Sequence, residues 1–337
     1  VYTSKDLTES GFVFAPFNAE KQTVLMPFSV SETLESRFII SEFITEDAPE
    51  KIEIQQEEES VLTEAQDFHV NLVSKAIQAI EKERLKKVVV SRKEEVKLTE
   101  SNPLQLFKRL LAQYPTAFVY CWYHPKIGLW LGASPETLLS VTGNRFTTMA
   151  LAGTQTYQGD DTPEWEAKET EEQQLVTDYL IASLEPSVSN ITVADTETLK
   201  AGNLLHISTR VSGILNSNLK EVVMALHPTP AVCGLPKTTA KEFILENENY
   251  NREFYTGFLG EINSKEKTSR NTNRRNVENN AYSAIKTVSN LYVNLRCMQL
   301  TDVKASIYVG GGITKDSIAE KEWQETVNKT QTIKAVL

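Results

Sequence analysis

"TAFVYCWYHPKIGLWLGAS", residues 116–134, decides the fold class. Two runs rich in β-branched and aromatic residues flank a Pro125-Lys126 turn. A turn that short joins antiparallel strands, because parallel strands need a long crossover. The device recurs. "TLLSV" (137–141) and "RFTTMALAG" (145–153) flank Thr142-Gly143-Asn144, and "LYVNLRCMQL" (291–300) is followed by "ASIYVGGG" (305–312). Helical stretches interrupt these hairpins without alternating one-for-one with strands. The pattern therefore predicts an α+β fold and not a doubly wound parallel sheet.

Working outward, residues 64–86 carry Phe68, Leu72, Ala76 and Ile80 at helical spacing, ahead of a buried strand in "KVVVSR" (87–92). Residues 41–60 are acidic and poor in large apolar side chains, the composition of a linker or exposed loop. The expected organisation is a short N-terminal segment with an acidic linker (1–60), belonging to the same fold as a main body at 61–337. "SKEKTSRNTNRR" (264–275) reads as a polar, basic loop within a hairpin.

The chain of 337 residues carries a net charge of −10, which argues against nucleic acid and anionic membranes as partners. A small anionic substrate stays compatible if a local cation offsets the field. There is no apolar run long enough for a transmembrane helix and no signal-peptide pattern. Cys121, Cys233 and Cys297 are widely spaced, which reads as reduced thiols in a cytoplasmic protein.

Two helical segments carry paired glutamates. Thr162-Pro163 predicts a helix start, with the helix running to about Leu184 and presenting Glu169 and Glu172 on one face. Ser317 with Glu320 predicts a capping box, followed by Glu322 and Glu325 on one face and Lys329 one turn on. Such pairs suit either a solvated surface or a hard divalent cation held between helices. Spacing alone leaves both open.

Other groups divide similarly. Lys87 heads an apolar strand, either as a snorkelling strand end or as a partly buried base. Glu136, after Ser134-Pro135, is either a turn residue or a general acid at a sheet edge. His206 and His227 read first as satisfied core histidines. Arg296, inside an apolar strand, needs an anionic partner.

In register along residues 64–330, the landmarks are KVVVSR (87–92), GASPETLL (132–139), ALAGT (150–154) and KETEEQQLVTDYL (168–180). They continue through HISTRVSG (206–213), HPTPAVCGLP (227–236), REFYTGFLGEI (252–262), VNLR (293–296) and GGGIT followed by EWQET (310–326). Their order resembles the chorismate-utilising enzyme family, and within it most closely the isochorismate synthases. The resemblance implies a single large unit like anthranilate synthase component I, with two stacked antiparallel sheets surrounded by helices. Residues 61–337 would form its chorismate-binding catalytic domain.

The resemblance also implies site roles. Mg²⁺ would be held by Glu172 and Glu325, with Glu169 and Glu322 nearby. A Gly310-Gly311-Gly312 turn would offer backbone N–H groups to the ring carboxylate, with charge added by Lys329. Arg296 and Tyr255 would grip the pyruvyl carboxylate, Gly153 and Thr154 would line the ring pocket, and His206 would sit beside the ring. Lys87 would be the base that activates water for attack at C2, and Glu136 the acid that protonates the departing C4 hydroxyl. The implied reaction is an isomerisation of chorismate to isochorismate, feeding menaquinone or siderophore and salicylate synthesis, by a cytoplasmic monomer needing no glutaminase subunit.

Aminating members lack the lysine at the position of Lys87, and aminodeoxychorismate synthases carry a lysine where this chain has Ala152. Salicylate synthases share the lysine and the acid, although some have Thr where this chain has Cys233. Thr170 and Gln173 depart from the family's helix motif, and residues 264–290 read as an insertion.

Overall fold

The computed structural model describes residues 2–37, 54–55, 59–99, 101–159, 163–201, 204–268 and 284–337. Most of the expected linker at 41–60 therefore lies outside the described residues.

The chain begins with β1 (Tyr2–Ser4), β2 (Gly11–Ala15) and β3 (Thr23–Pro27). A two-residue β4 (Ile54–Gln55) and helix α1 (Glu59–Glu81) lead to β5 (Lys87–Leu98), which extends the expected strand by six residues. Helix α2 (Pro103–Gln113) begins at Pro103, with the Asn102 side chain accepting from the Gln105 N–H as N-cap. It leads into the hairpin β6 (Phe118–His124) and β7 (Gly128–Ser134), in which His124 pairs with Gly128. Gly128, at φ +101°, takes the turn position that a side chain resists.

The second expected hairpin is β8 (Thr137–Thr142) and β9 (Arg145–Thr156), closed by Gly143-Asn144. Helix α3 (Ala167–Leu184) follows. It starts later than expected, after Glu166, and Thr162 lies outside the described residues. Next come β10 (Val188–Val193), β11 (Glu197–Ala201), β12 (Leu204–Leu215), α4 (Leu219–Leu226), β13 (Gly234–Leu235) and α5 (Lys237–Asn247). The last elements are β14 (Phe258–Thr268), β15 (Ala284–Val293), β16 (Cys297–Thr301), β17 (Lys304–Ile313) and α6 (Ala319–Lys334). The expected insertion at 264–290 is partly the paired arms of β14 and β15, which meet from Phe258↔Val293 to Thr268↔Ala284. Residues 269–283 lie outside the described residues.

All strand pairings among the described residues are antiparallel. They form two sheets, one in the order β1-β3-β2-β14-β15-β8-β9-β12-β10 with β11 on β12, the other β13-β5-β17-β16-β7-β6 with β4 on β5. An aromatic layer holds the sheets face to face. Phe14 of the first sheet meets Trp122 and Trp130 of the second edge-on at 4.9 and 6.0 Å, and Phe118 stacks on Tyr292 at 4.0 Å. Each such pair contributes about 0.5–1.5 kcal/mol beyond its buried area. Helix α3 lays Val176, Leu180 and Leu184 on the first sheet, and α1 packs Leu72, Val73 and Ala76 beside Val88 and Val90 of the second. No described helix is long and apolar enough to cross a membrane.

Three local expectations are corrected. "LYVNLRCMQL" is not one strand: β15 ends at Val293 in the first sheet, and β16 begins at Cys297 in the second. The break needs Arg296 at φ +46°, a strain for a side-chain-bearing residue. Ser317 does not cap α6. Its hydroxyl accepts from the Thr314 N–H at 3.1 Å, and Ile318 is the uncapped N-cap. The three glycines are not a turn but part of β17, paired through Gly310↔Ser91, Gly311↔Val90 and Gly312↔Val89.

Candidate active site

Of the places where the chain passes between the sheets, two lie side by side, and each carries a candidate catalytic or binding residue. At Pro135-Glu136 it leaves β7 for β8, and at Asn294-Leu295-Arg296 it leaves β15 for β16. The crossings are tied together. Val293 N–H donates to the Glu136 carbonyl at 3.0 Å, Ala133 N–H to the Arg296 carbonyl at 3.1 Å, and the Ser134 hydroxyl to the Val293 carbonyl at 2.5 Å. Pro135 has no N–H to continue a ladder, which suits it to a strand break. One cavity opens here, with Glu136, Gly153, Thr154, Glu169, Glu172, His206, Tyr255, Arg296, Gly310, Gly312, Glu325 and Lys329 in its lining.

Lys87 is wholly buried, and its Nζ lies 2.6 Å from Glu172 Oε1. The snorkelling alternative is therefore corrected: no part of this side chain reaches solvent. Glu136 is buried too, and burial raises its pKa to about 8 despite the opposing pull of the Lys87 charge. Its carboxyl is thus protonated at neutral pH, the form a general acid requires.

Arg296 and His206 meet across the cavity. Arg296 Nη2 donates to His206 Nε2 at 2.5 Å, and His206 Nδ1–H donates to the Gly153 carbonyl at 2.9 Å. Burial, then the Arg296 charge, lowers the His206 pKa to about 3, so the imidazole is neutral and its tautomer is set by these two partners. Burial lowers Arg296 only to about 10, leaving it cationic at neutral pH. The Thr154 hydroxyl is 3.4 Å from His206 Nδ1. Burial raises the Tyr255 phenol, so it stays a neutral donor.

The glutamates come from α3 and α6. Lys329 Nζ pairs with Glu325 Oε1 at 2.6 Å and donates to the Gly310 carbonyl at 3.1 Å. A Cβ on Gly312 would stand 2.7 Å from Glu172 Oε1 and 3.0 Å from Lys87 Cε. One on Gly311 would stand 3.5 Å from Glu322 Oε2. The glycines thus let side chains from both helices approach the bare backbone of β17. Beyond Tyr308 the edge of β17 away from β5 has no strand partner among the described residues, so alternate N–H groups there point out of the sheet. Gly153, at φ +65°, admits the Glu169 side chain, whose Cβ a methyl there would meet at 3.1 Å. Glu169 Oε2 is buried without a hydrogen-bond partner among the described residues.

Among the described residues no three carboxylates already stand at metal-holding separation. Glu172 and Glu325 are instead drawn to Lys87 and Lys329. The donor set nonetheless fits a hard cation. The ligand atoms are oxygens, Glu169 Oε2 lacks a partner, and four carboxylates face two ammonium groups, a formal excess of two negative charges.

Several supporting groups escape a reading of the sequence. Gln173, unusual for its motif, anchors α3 by donating to the Ala150 carbonyl at 3.1 Å and the Thr209 hydroxyl at 2.9 Å. Arg92 donates to the Thr326 hydroxyl at 2.8 Å and lies 4.5 Å over Trp323, fixing α6 next to Glu322 and Glu325. His227 is buried against Phe258, outside the cavity lining. Cys233 sits in the core near Val88 and Ala240, and its neighbour Val232 is the one that faces the cavity. The Thr-for-Cys difference therefore does not touch the site.

A family model described as "Chorismate binding enzyme" matches residues 17–269, and a second, "chorismate binding enzyme", matches residues 282–335. "Isochorismate synthase EntC" of Escherichia coli (strain K12) is 30% identical over 239 residues, covering 68% of this chain and 56% of that protein. The chain spans about half the length of the first curated relatives it matches, from 46% to 56%. The solved structure of MenF, the menaquinone-specific isochorismate synthase from Escherichia coli, is similar with a TM-score of 0.75 at 20% identity, covering 97% of this chain and 78% of that one. Anthranilate synthase component I from Streptococcus pneumoniae TIGR4 is similar at 0.67 and 23% identity, covering 88% and 64%. The shared fold of two stacked antiparallel sheets within helices is the one expected from the landmarks.

Proposed function

The chain belongs to the chorismate-binding enzyme family, and from that premise we propose that it is an isochorismate synthase, converting chorismate reversibly to isochorismate. One observation carries the reading: a protonated buried glutamic acid, Glu136, lines the cavity, and a buried lysine, Lys87, stands directly behind its wall, paired with the cavity-lining Glu172, Lys87 for a base and Glu136 for an acid.

In the proposed reaction a water adds to ring C2 while the C4 hydroxyl departs as water, so atoms balance with no further reactant. Lys87 Nζ, acting in its neutral amine form, takes the proton of the incoming water. Glu136 gives its proton to the departing hydroxyl. Arg296 and Tyr255 bind the pyruvyl carboxylate, and neutral His206 holds the guanidinium in place from the other sheet. Gly153 and Thr154 bound the ring. The outward N–H groups of Gly310–Gly312 and the Lys329 ammonium face the ring carboxylate.

Glu172 and Glu325, with Glu169 and Glu322, are the residues that would hold Mg²⁺. When bound, the cation neutralises the substrate's ring carboxylate and fixes its orientation.

The same acid and base could serve a salicylate synthase, which would go on to eliminate pyruvate. An ammonia-using reading is disfavoured by Lys87 itself and by Ala152. Incubation with chorismate and Mg²⁺, with product identification by chromatography, tests the proposal. Isochorismate without pyruvate supports it, and salicylate with stoichiometric pyruvate favours the second reading. The enzyme is proposed to act as a cytoplasmic monomer without a glutaminase subunit. Its product would enter menaquinone or siderophore and salicylate synthesis.

A further inference from the structure

Behind the cavity wall, Glu248 and Arg252 form an ion pair with each side chain only 2% exposed. Burying two charges is costly, and an apolar pair of similar volume often serves stability as well. The partners of this pair suggest what else it does. Arg252 Nε and Nη2 donate to Glu248 at 2.8 and 2.5 Å, Nη2 also to the Val89 carbonyl at 2.7 Å, and Nη1 to the Val232 carbonyl at 3.0 Å and the Thr256 hydroxyl at 3.3 Å. Glu248 Oε1 in turn accepts from the Ser91 N–H and hydroxyl at 2.8 and 2.7 Å. The guanidinium lies 4.7 Å from the Phe17 ring and 5.9 Å from the Tyr255 ring.

Neither charged residue lines the cavity, yet Val89, Val232, Tyr255 and Thr256 all do. They come from three separate walls: strand β5, the loop before β13, and the segment before β14. Lys87 and Val89 are two apart on β5, so their side chains share a face. A shift of the strand at Val89 therefore moves Lys87 Nζ.

We propose that Glu248 and Arg252 are a positioning pair for the reaction, setting where Lys87 and Tyr255 stand around the substrate. The inference rests on the isochorismate synthase reading. The fork of the guanidinium is essential, because one planar group bridges a carboxylate and two backbone carbonyls at once.

The test is Arg252→Lys, which keeps the charge and loses the fork, beside Ser91→Ala, which keeps the ion pair and the Ser91 N–H bond and removes only the hydroxyl's tie from β5 to Glu248. Both are compared with wild type for kcat, KM, thermal midpoint and amide exchange over residues 87–91. In Arg252→Lys, kcat falls about 100-fold at a temperature where the protein stays folded, the cost of misplacing a reacting group by about 1 Å. Ser91→Ala shows a smaller fall in kcat with KM nearly unchanged, and exchange over 87–91 quickens in both. A purely structural pair would lower the thermal midpoint and leave the kcat of folded protein intact, and that result overturns the proposal. If Arg252→Lys does not fold, Ser91→Ala decides by the same criterion. If wild type itself gives no isochorismate, the functional reading fails instead, and unchanged exchange in the variants then overturns the positioning role independently.

Discussion

Lys87 Nζ stands 2.6 Å from Glu172 Oε1, with the lysine side chain wholly buried. The candidate base is thus paired with a candidate metal ligand. Glu172 cannot serve Lys87 and a cation equally, so the proposed Mg²⁺ would compete with Lys87 Nζ for one carboxylate. Lys87→Met should therefore bind Mg²⁺ more tightly than wild type while losing turnover. Calorimetric titration reads the first effect without any need for activity, and weaker binding by the variant would contradict the competition.

Removing the base has a direct consequence. Lys87→Ala should lower kcat by about 10² to 10⁴-fold, the usual contribution of a positioned proton-transfer group. Retention of full turnover by folded Lys87→Ala would take the base assignment away from this residue.

Glu136 makes a pH prediction whose sign is fixed by its burial. Its pKa rises from 4.5 to about 8 in the fold, so the native state binds this proton more tightly than the unfolded chain. The stability from this group is complete below about pH 4.5 and is lost as pH rises towards 8. Activity that depends on the acid should fall as pH passes through about 8. Glu136→Gln should abolish turnover and also remove this group's part of the stability loss, visible as a flatter profile of thermal midpoint against pH. His206, neutral down to about pH 3, should add no inflection near pH 6.5.

The glycines of β17 separate site effects from fold effects. A methyl on Gly312 meets the far ends of Glu172 and Lys87, which can swing away. Gly312→Ala should lower activity about 10-fold or more while sparing the thermal midpoint, since 1 Å displacements at the reacting centre are costly. A methyl on Gly257 would sit 2.0 Å from the Ala15 carbonyl oxygen, where only backbone movement relieves it. Gly257→Ala should therefore lower the midpoint by several degrees, and equal effects from the two substitutions would contradict the distinction.

How much of this was legible in the sequence follows from how local each signal is. The β6–β7 and β8–β9 hairpins were readable because turn and strands are contiguous. Arg296 was readable as an arginine needing a partner, but its partner is His206, ninety residues away on the other sheet. The strand break at Asn294–Arg296 left no turn signal, because it is imposed by the second sheet. Ser317 and Glu320 matched a capping box and failed, since the serine hydroxyl is used by the turn at Thr314. Three successive glycines suggested a turn, although the requirement is close approach of Glu172 and Lys87 to a strand. The glutamates of α3 and α6 were joined by resemblance to a family, because spacing alone leaves each pair a plausible solvated face. Arg252 carries the same signal as Arg296, a cation beside an apolar run, but its partner Glu248 lies behind the cavity wall.

The most direct test of the account is turnover of chorismate in water enriched in ¹⁸O, with Mg²⁺ present. Lys87 is assigned to activate solvent water for attack at C2. The account predicts isochorismate whose C2 hydroxyl carries one ¹⁸O, formed without ammonia and without release of pyruvate. Isochorismate whose new hydroxyl lacks the label would contradict it, because the oxygen would then have moved within the substrate and Lys87 would have no water to activate.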